Sequence, residues 1–244
     1  MKPKVHVWMG IMLMVAFVLA ACGGGDVSSE DESTSTSSGN DSAVSTELML
    51  DPANAEGENV LGLVNYLYEG LMREQDGNVT GALAESVTVS EDGLDYIFSL
   101  RSGVTFHDGI ALTADVVVAN FNRWFDPNDV NRGSGNFAAW AEDFGGFKGE
   151  LLEDGKPKSG FDGIEKVDGL TVLVHLNTAD PNLLTKLTDA AYVIVSPAAF
   201  AGGDGGTGPY RFSSSSDTTI TLEPFADYWD ASAVPSQNME IPAP

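Results

Sequence analysis

His107-Asp108-Gly109 sets a carboxylate beside an imidazole, the pairing that orients a general base or begins a metal site. On a strand, however, neighbouring side chains point to opposite faces, and no second His or Cys stands nearby at ligand spacing. The tripeptide therefore reads as a structural turn. The run from Gly202 to Gly208, GGDGGTG, has the glycine content of a phosphate-cradling loop. Such loops open into a helix and carry a lysine at fixed spacing, whereas here Pro209-Tyr210-Arg211-Phe212 follows and reads as a strand. His175 alternates with Thr171 and Leu173 and reads as a packed or edge residue. Arg132, Phe137 and Trp140 have the chemistry to line a cleft by stacking, but loop packing accounts for them as well. No Gly-x-Ser-x-Gly elbow occurs, and no nucleophile is framed by a base. No catalytic residue, no metal site and no cofactor is expected.

The elements around these residues follow from periodicity. Leu61, Val64, Tyr68 and Leu71 form one apolar stripe and predict a helix from Asn59 to Met72, with a turn at Asp76-Gly77. Val87 and Val89, then Tyr96, Phe98 and Leu100, alternate around Glu91-Asp92-Gly93 and predict a hairpin. Thr113 is the expected N-cap of a helix, with Asp115 in its first turn and Val117, Phe121 and Trp124 on one face before Pro127. Residues 128–158 read as a long loop with a short helix over Phe137 to Asp143. Ile164–Val167 and Leu170–Leu176 flank Asp168-Gly169, a hairpin signal. A helix from Asn182 to Ala190 and an apolar strand from Tyr192 to Val195 complete the pattern. A short strand over Leu48–Pro52, stopped by proline, precedes all of these.

The composition narrows the function classes. There are 36 acidic residues against 12 basic ones, for a formal charge of −24. No basic cluster is present to neutralise phosphates, so nucleic-acid binding is excluded, and anionic headgroups would repel the chain. At the N-terminus, Lys2 and Lys4 precede the uncharged run Val7–Ala20, which ends in Ala20-Ala21-Cys22. This is the layout of a signal peptide over residues 1–21. The run falls short of the roughly 20 residues needed to span a bilayer. Cys22 is the sole cysteine, so no internal disulfide can form. Residues 22–45 are Gly, Ser, Thr and acids, expected to act as a disordered tether with a span of roughly 26 Å.

Four blocks stand in order along the chain: NYLYEGL (65–71), SVTVSEDGLDYIFSL (86–100), LRSGVTFHDGIALTADVVV (100–118) and GTGPYRF (206–212). Together they resemble the extracytoplasmic solute-binding proteins of peptide and nickel ABC importers, solute-binding family 5, from about Leu50 to Trp229. The resemblance implies an α/β fold, a periplasmic-binding-protein-like (type II) first lobe with a small inserted α/β subdomain. Residues 46–60 and 178–244 would form part of the main lobe and residues 61–177 the inserted subdomain. It implies capture of oligopeptides, dipeptides or nickel chelates, and delivery to the importer's membrane subunits. Leu19-Ala20-Ala21-Cys22 resembles the bacterial lipobox, which implies a lipid on Cys22 and anchoring to the outer face of the cell membrane or in the periplasm. By position, the ligand contacts expected from this lobe are Asn54, Glu58 and Asn59, together with Gly206, Thr207, Gly208 and Tyr210.

Family members carry a second lobe after the element that here reads Asp227-Tyr228-Trp229. The tail VPSQNMEIPAP has no recognisable continuation, so the second lobe is expected to be absent. Residues 45–244 alone are then expected to bind peptide far more weakly than a complete relative, and a micromolar dissociation constant would contradict this. A non-transporting surface lipoprotein, a sensing fragment or a gene remnant is the rival reading. A peptide hydrolase is the third.

Overall fold

In the computed structural model, which describes residues 51–54 and 58–243, both expected hairpins enter one sheet. β1 (Met72–Gln75) and β2 (Asn78–Gly81) form a separate two-stranded ribbon around Asp76-Gly77. Both turn residues have positive φ, as the tight turn with right-handed strand twist requires. β3 (Ala84–Val89) and β4 (Asp95–Leu100) then pair with Val87 opposite Phe98 and Val89 opposite Tyr96. Asp92 closes their turn, its carboxylate accepting from the Ser90 hydroxyl at 2.6 Å and the Leu94 amide at 3.2 Å.

β5 (Phe161–Asp168) and β6 (Thr171–Leu176) complete an antiparallel sheet of order β3-β4-β6-β5. Phe98 on β4 and Val172 and Val174 on β6 point inward and are fully buried, as their period of two requires. β6 is an inner strand, so His175 is not at an edge. It stands on the outer face, its Nδ1 2.7 Å from the Asp95 carboxylate.

The inner face is covered by the next helices, α2 (Ala114–Phe125) and α3 (Ala138–Phe144). Thr113 caps α2 through Val116 N–H, and Val117, Phe121 and Trp124 are buried. The rings of Phe121, Trp124, Phe125, Trp140, Phe144 and Phe161 meet there, with centroids 4.2 Å apart for Trp140–Phe144 and 4.9 Å for Trp140–Phe161. Each such pair adds about 0.5–1.5 kcal/mol beyond its buried area. Arg132 is part of this core, donating to the Arg123 and Trp124 carbonyls and lying over the Phe137 and Phe147 rings. Arg132, Phe137 and Trp140 thus pack in the core.

A second, smaller core lies between α1 (Glu58–Leu67) and a three-stranded sheet of β7 (Tyr210–Ser215), β8 (Thr219–Pro224) and β9 (Met239–Pro242). Leu63, Val64 and Leu67 of α1 meet Ile220 and Leu222 of β8 in it. β9 is a strand that the sequence pattern did not announce, with Ile241 opposite Ile220. Met239 and Ile241 supply the alternating apolar residues, within a segment too short and Pro-flanked to signal a strand.

Three other boundaries move. α1 stops at Leu67, five residues before its expected end, because Gly70 must approach the Leu187, Met72 and Tyr192 carbonyls closely, and Leu71 begins the entry to β1. α4 spans only Leu183–Lys186, not Asn182–Ala190. There Thr188 bonds back to the Thr185 carbonyl and Asp189 caps Ala191, local bonds that compete with helix continuation. Tyr192–Val195 forms a single bridge, Gly70 to Val193, instead of a strand. Its backbone is satisfied by a side chain: Asn120, fully buried on α2, donates to the Val195 carbonyl at 2.8 Å and accepts from Val195 N–H at 3.1 Å. Leu48–Leu50 and Cys22 lie outside the described residues; Pro52–Asn54 is a 3-10 turn, and Asp51 before it pairs with the buried Arg123.

Candidate functional site

Glu69 stands where α1, the glycine loop and the Tyr228-Trp229 element converge. Leu67, the last residue of α1, accepts from Gly208 N–H at 2.9 Å. A Cβ on Gly206 would fall 1.8 Å from the Leu67 oxygen, and one on Gly208 would fall 2.4 Å from the Tyr66 oxygen. Only glycine admits this approach. Thr207 between them is fully buried and donates its hydroxyl to Glu69 Oε2 at 3.0 Å. From the other side, Tyr228 donates to Oε1 at 2.9 Å and the Trp229 indole to Oε2 at 2.8 Å. The Arg101 guanidinium, 4.4 Å above the Trp229 ring, holds the indole in place.

Burial pushes the Glu69 carboxyl above the ordinary glutamate range; its three donors and the nearby Arg73 charge pull the other way and only partly offset it. Burial likewise pushes the Tyr228 and Tyr68 phenols up, so both remain neutral donors across physiological pH.

His107 locks the same loop. Its Nε2 lies 2.9 Å from the Gly208 carbonyl, which can only accept, so Nε2 carries a proton. Its Nδ1 lies 2.5 Å from Asp204 Oδ1, and the other Asp204 oxygen accepts from Phe212 N–H. With its side chain 1% exposed, His107 is a structural brace, as its place in the turn suggested. The glycine run leads into β7 and not into a helix.

Two open cavities share Tyr228. One, of about 460 Å³, lies beside Glu69 and is bounded by Asn65, Tyr68, Arg73, Thr188 and Pro209. The other, of about 620 Å³, is a shallow basin between Phe106, Phe225 and Trp229 with Arg211 and Asp227 at its rim. The first combines a buried carboxylate, a guanidinium, phenols and an amide, which suits it to holding a small polar molecule. Among the described residues, no group of three or more His, Cys, Asp or Glu is placed to hold a metal ion.

The expected ligand residues fall into two separated sets. Asn54 ends the 3-10 turn and Glu58 and Asn59 open α1; their side chains lie outside what the structure describes. Gly206, Thr207 and Gly208 pack at the opposite end of that helix, about 14 Å away at 1.5 Å per residue. There they serve the packing of the loop on α1. Tyr210 is half-buried, edge-on to the Tyr66 ring. Glu69, Arg73, Tyr228 and Trp229 went unremarked as site residues, although a lone acid inside the apolar block NYLYEGL is a sequence signal for a buried, partnered carboxylate.

Comparison with known proteins agrees with this architecture. The family model of bacterial extracellular solute-binding proteins, family 5 Middle, matches residues 78–241. The glutathione-binding protein GsiB of Pectobacterium atrosepticum is 33% identical over 196 residues, covering 77% of this chain and 34% of GsiB. GsiB of Salmonella typhi is 30% identical over 189 residues, covering 74% and 33%. The chain thus spans about a third of the length of the curated relatives it matches. Among solved structures, HbpA2 from Haemophilus parasuis aligns with a TM-score of 0.67 at 26% identity, over 79% of this chain and 40% of that one. The periplasmic binding protein DppA from Helicobacter pylori, in complex with the peptide STSA, aligns with a TM-score of 0.59 at 28% identity, over 73% and 37%.

Proposed function

The chain belongs to the bacterial extracellular solute-binding proteins of family 5, and on that premise we propose that it captures small peptides outside the cytoplasm for an ABC importer. The observation that carries this reading is the cavity beside Glu69. Its volume of about 460 Å³ falls in the range of small-ligand sites, roughly 300–1,000 Å³. Its walls offer donors and acceptors suited to a peptide's amides and termini. The names of its relatives, binding proteins for glutathione and for a short peptide, point to the same ligand class. Capture and delivery, with no covalent step, is the work assigned to it, and its partners are the importer's membrane subunits.

The same reading includes a lipid on Cys22 that tethers residues 46–244 to the membrane through the acidic linker. It keeps the division into a main lobe (46–60 with 178–244) and an insert (61–177). The packing of Leu63, Val64 and Leu67 on β8 favours drawing the boundary after α1.

Equilibrium dialysis of the full chain against di- and tripeptides, free amino acids and monosaccharides tests the assignment. Retention of peptides over sugars is the expected result, and no retention of any peptide at millimolar concentration overturns it. Metabolic labelling with a palmitate analogue tests the anchor: label on the wild type and none on Cys22→Ser is expected, and an unlabelled wild type refutes it.

A further inference from the structure

Arg73 stands out on charge alone. Acids outnumber bases 36 to 12 in this chain, so a guanidinium should readily find a carboxylate. Every other described lysine and arginine has a hydrogen-bond or ion-pair partner. Arg101 donates to the Ala82 carbonyl, Arg123 pairs with Asp51, Arg211 with Glu223, and Lys186 with Asp180. Lys148, Lys156, Lys158 and Lys166 are likewise paired, and Arg132 bonds to two carbonyls. Arg73 makes no hydrogen bond or ion pair with any described residue, and its buried Nε meets no acceptor.

Its surroundings explain why. Arg73 sits on β1, opposite Thr80, in the wall of the cavity beside Glu69. Glu69 is near enough for the two charges to interact, but both its oxygens are already engaged by Thr207, Tyr228 and Trp229. Asp230 also feels the guanidinium's charge, but its Oδ1 accepts from the Ser232 amide and hydroxyl, and neither carboxylate forms an ion pair with Arg73. The guanidinium is left facing an open space that also contains the Asn65 amide and the Tyr68 hydroxyl, with Glu74 nearby. A planar guanidinium takes a carboxylate as a two-pronged pair, which gives direction as well as affinity.

We propose that Arg73 anchors the carboxylate of the ligand that enters this cavity, so that the site takes peptides by their free acid terminus or an acidic side chain. This rests on the peptide-capture reading above and adds to it a preferred ligand charge and orientation. Glu69 contributes indirectly: with both oxygens engaged by neutral donors, it leaves Arg73 unclaimed.

The test is a calorimetric titration of the full chain with trialanine and with trialanine amide. A charge-assisted pair predicts that the acid binds at least about tenfold tighter than the amide. In Arg73→Gln the ratio of acid to amide affinity should fall to about one, and Arg73→Lys should retain part of the preference. Raising the salt concentration should narrow the wild-type preference. Equal binding of acid and amide by the wild type overturns the role of Arg73 and leaves peptide capture standing, without reference to whether any variant folds. Binding of neither peptide overturns peptide capture and the anchor with it.

Discussion

Replacing Glu69 is the most demanding perturbation, because three buried donors lose their common acceptor at once. In Glu69→Ala the Trp229 indole N–H cannot rotate to another partner, while the Thr207 and Tyr228 hydroxyls can turn only partway toward the cavity. With about 1–3 kcal/mol for each unmet buried donor, the expected loss is about 3–5 kcal/mol, a large share of a typical domain's stability. Glu69→Gln differs. Its carbonyl can still accept from Thr207 and Trp229, and its amide can donate to a rotated Tyr228 hydroxyl, so the expected loss is about 1 kcal/mol. The two variants also separate by pH. Burial raises the Glu69 carboxyl in the folded state above its unfolded value of about 4.3, so the native state holds this proton longer. Its linked contribution is therefore fully present below that value and is lost as pH rises through the folded value. Glutamine does not titrate, so the stability gap between wild type and Glu69→Gln should shrink as pH rises above the unfolded value, other carboxylates cancelling in the comparison. Urea unfolding followed by tryptophan fluorescence reads both effects. A loss under about 1 kcal/mol in Glu69→Ala, or a gap that widens with pH, would refute the assignment of Glu69 as a buried, triply bonded carboxylate.

Other substitutions test the supports around the site. Gly206→Ala would place a methyl 1.8 Å from the Leu67 oxygen and should cost about 3 kcal/mol or more; Gly62→Ala, in the same helix with nothing within 4 Å, should stabilise by about 0.5–1 kcal/mol. Urea midpoints of both decide whether close approach is the reason for glycine in the loop. Asn120→Ala leaves both backbone groups of Val195 unmet in the core and should cost about 2–4 kcal/mol. Amide hydrogen exchange at Val195 should then accelerate more than at Phe98, and equal acceleration would mean global loosening instead.

Where one residue's neighbours in sequence decide its role, the fold was legible. Tyr96, Phe98 and Leu100, the Thr113 cap and the face of Val117, Phe121 and Trp124 all follow from local spacing, and the structure has them so. The GTGPYRF block leads into a strand, as the run Pro209-Tyr210-Arg211-Phe212 suggested. What failed depends on distant partners. Tyr192–Val195 has the composition of a strand, but Val195 bonds to the Asn120 side chain 75 residues earlier in the chain, and the Ile194 amide to the Glu69 carbonyl. β9 acquires its strand form only by pairing with β8. The site was the least legible part. At Gly206 and Gly208 the Leu67 and Tyr66 backbone leaves no room for a side chain, a constraint that no local spacing announces. The partners of Glu69 are up to 160 residues away, so no local pattern could join them to it. Arg73 is informative only through what it fails to contact, a property invisible in sequence.

The most direct test of the account is an amide-resolved NMR titration of the full chain with trialanine. Saturable shifts concentrated at residues 65–73, 188–190 and 228, with the Trp229 indole signal moving in step, are the predicted result. Shifts spread over the basin around Phe106 and Phe225, or no saturable shift at millimolar peptide, would contradict the assignment of the Glu69 cavity as the place where this protein holds its ligand.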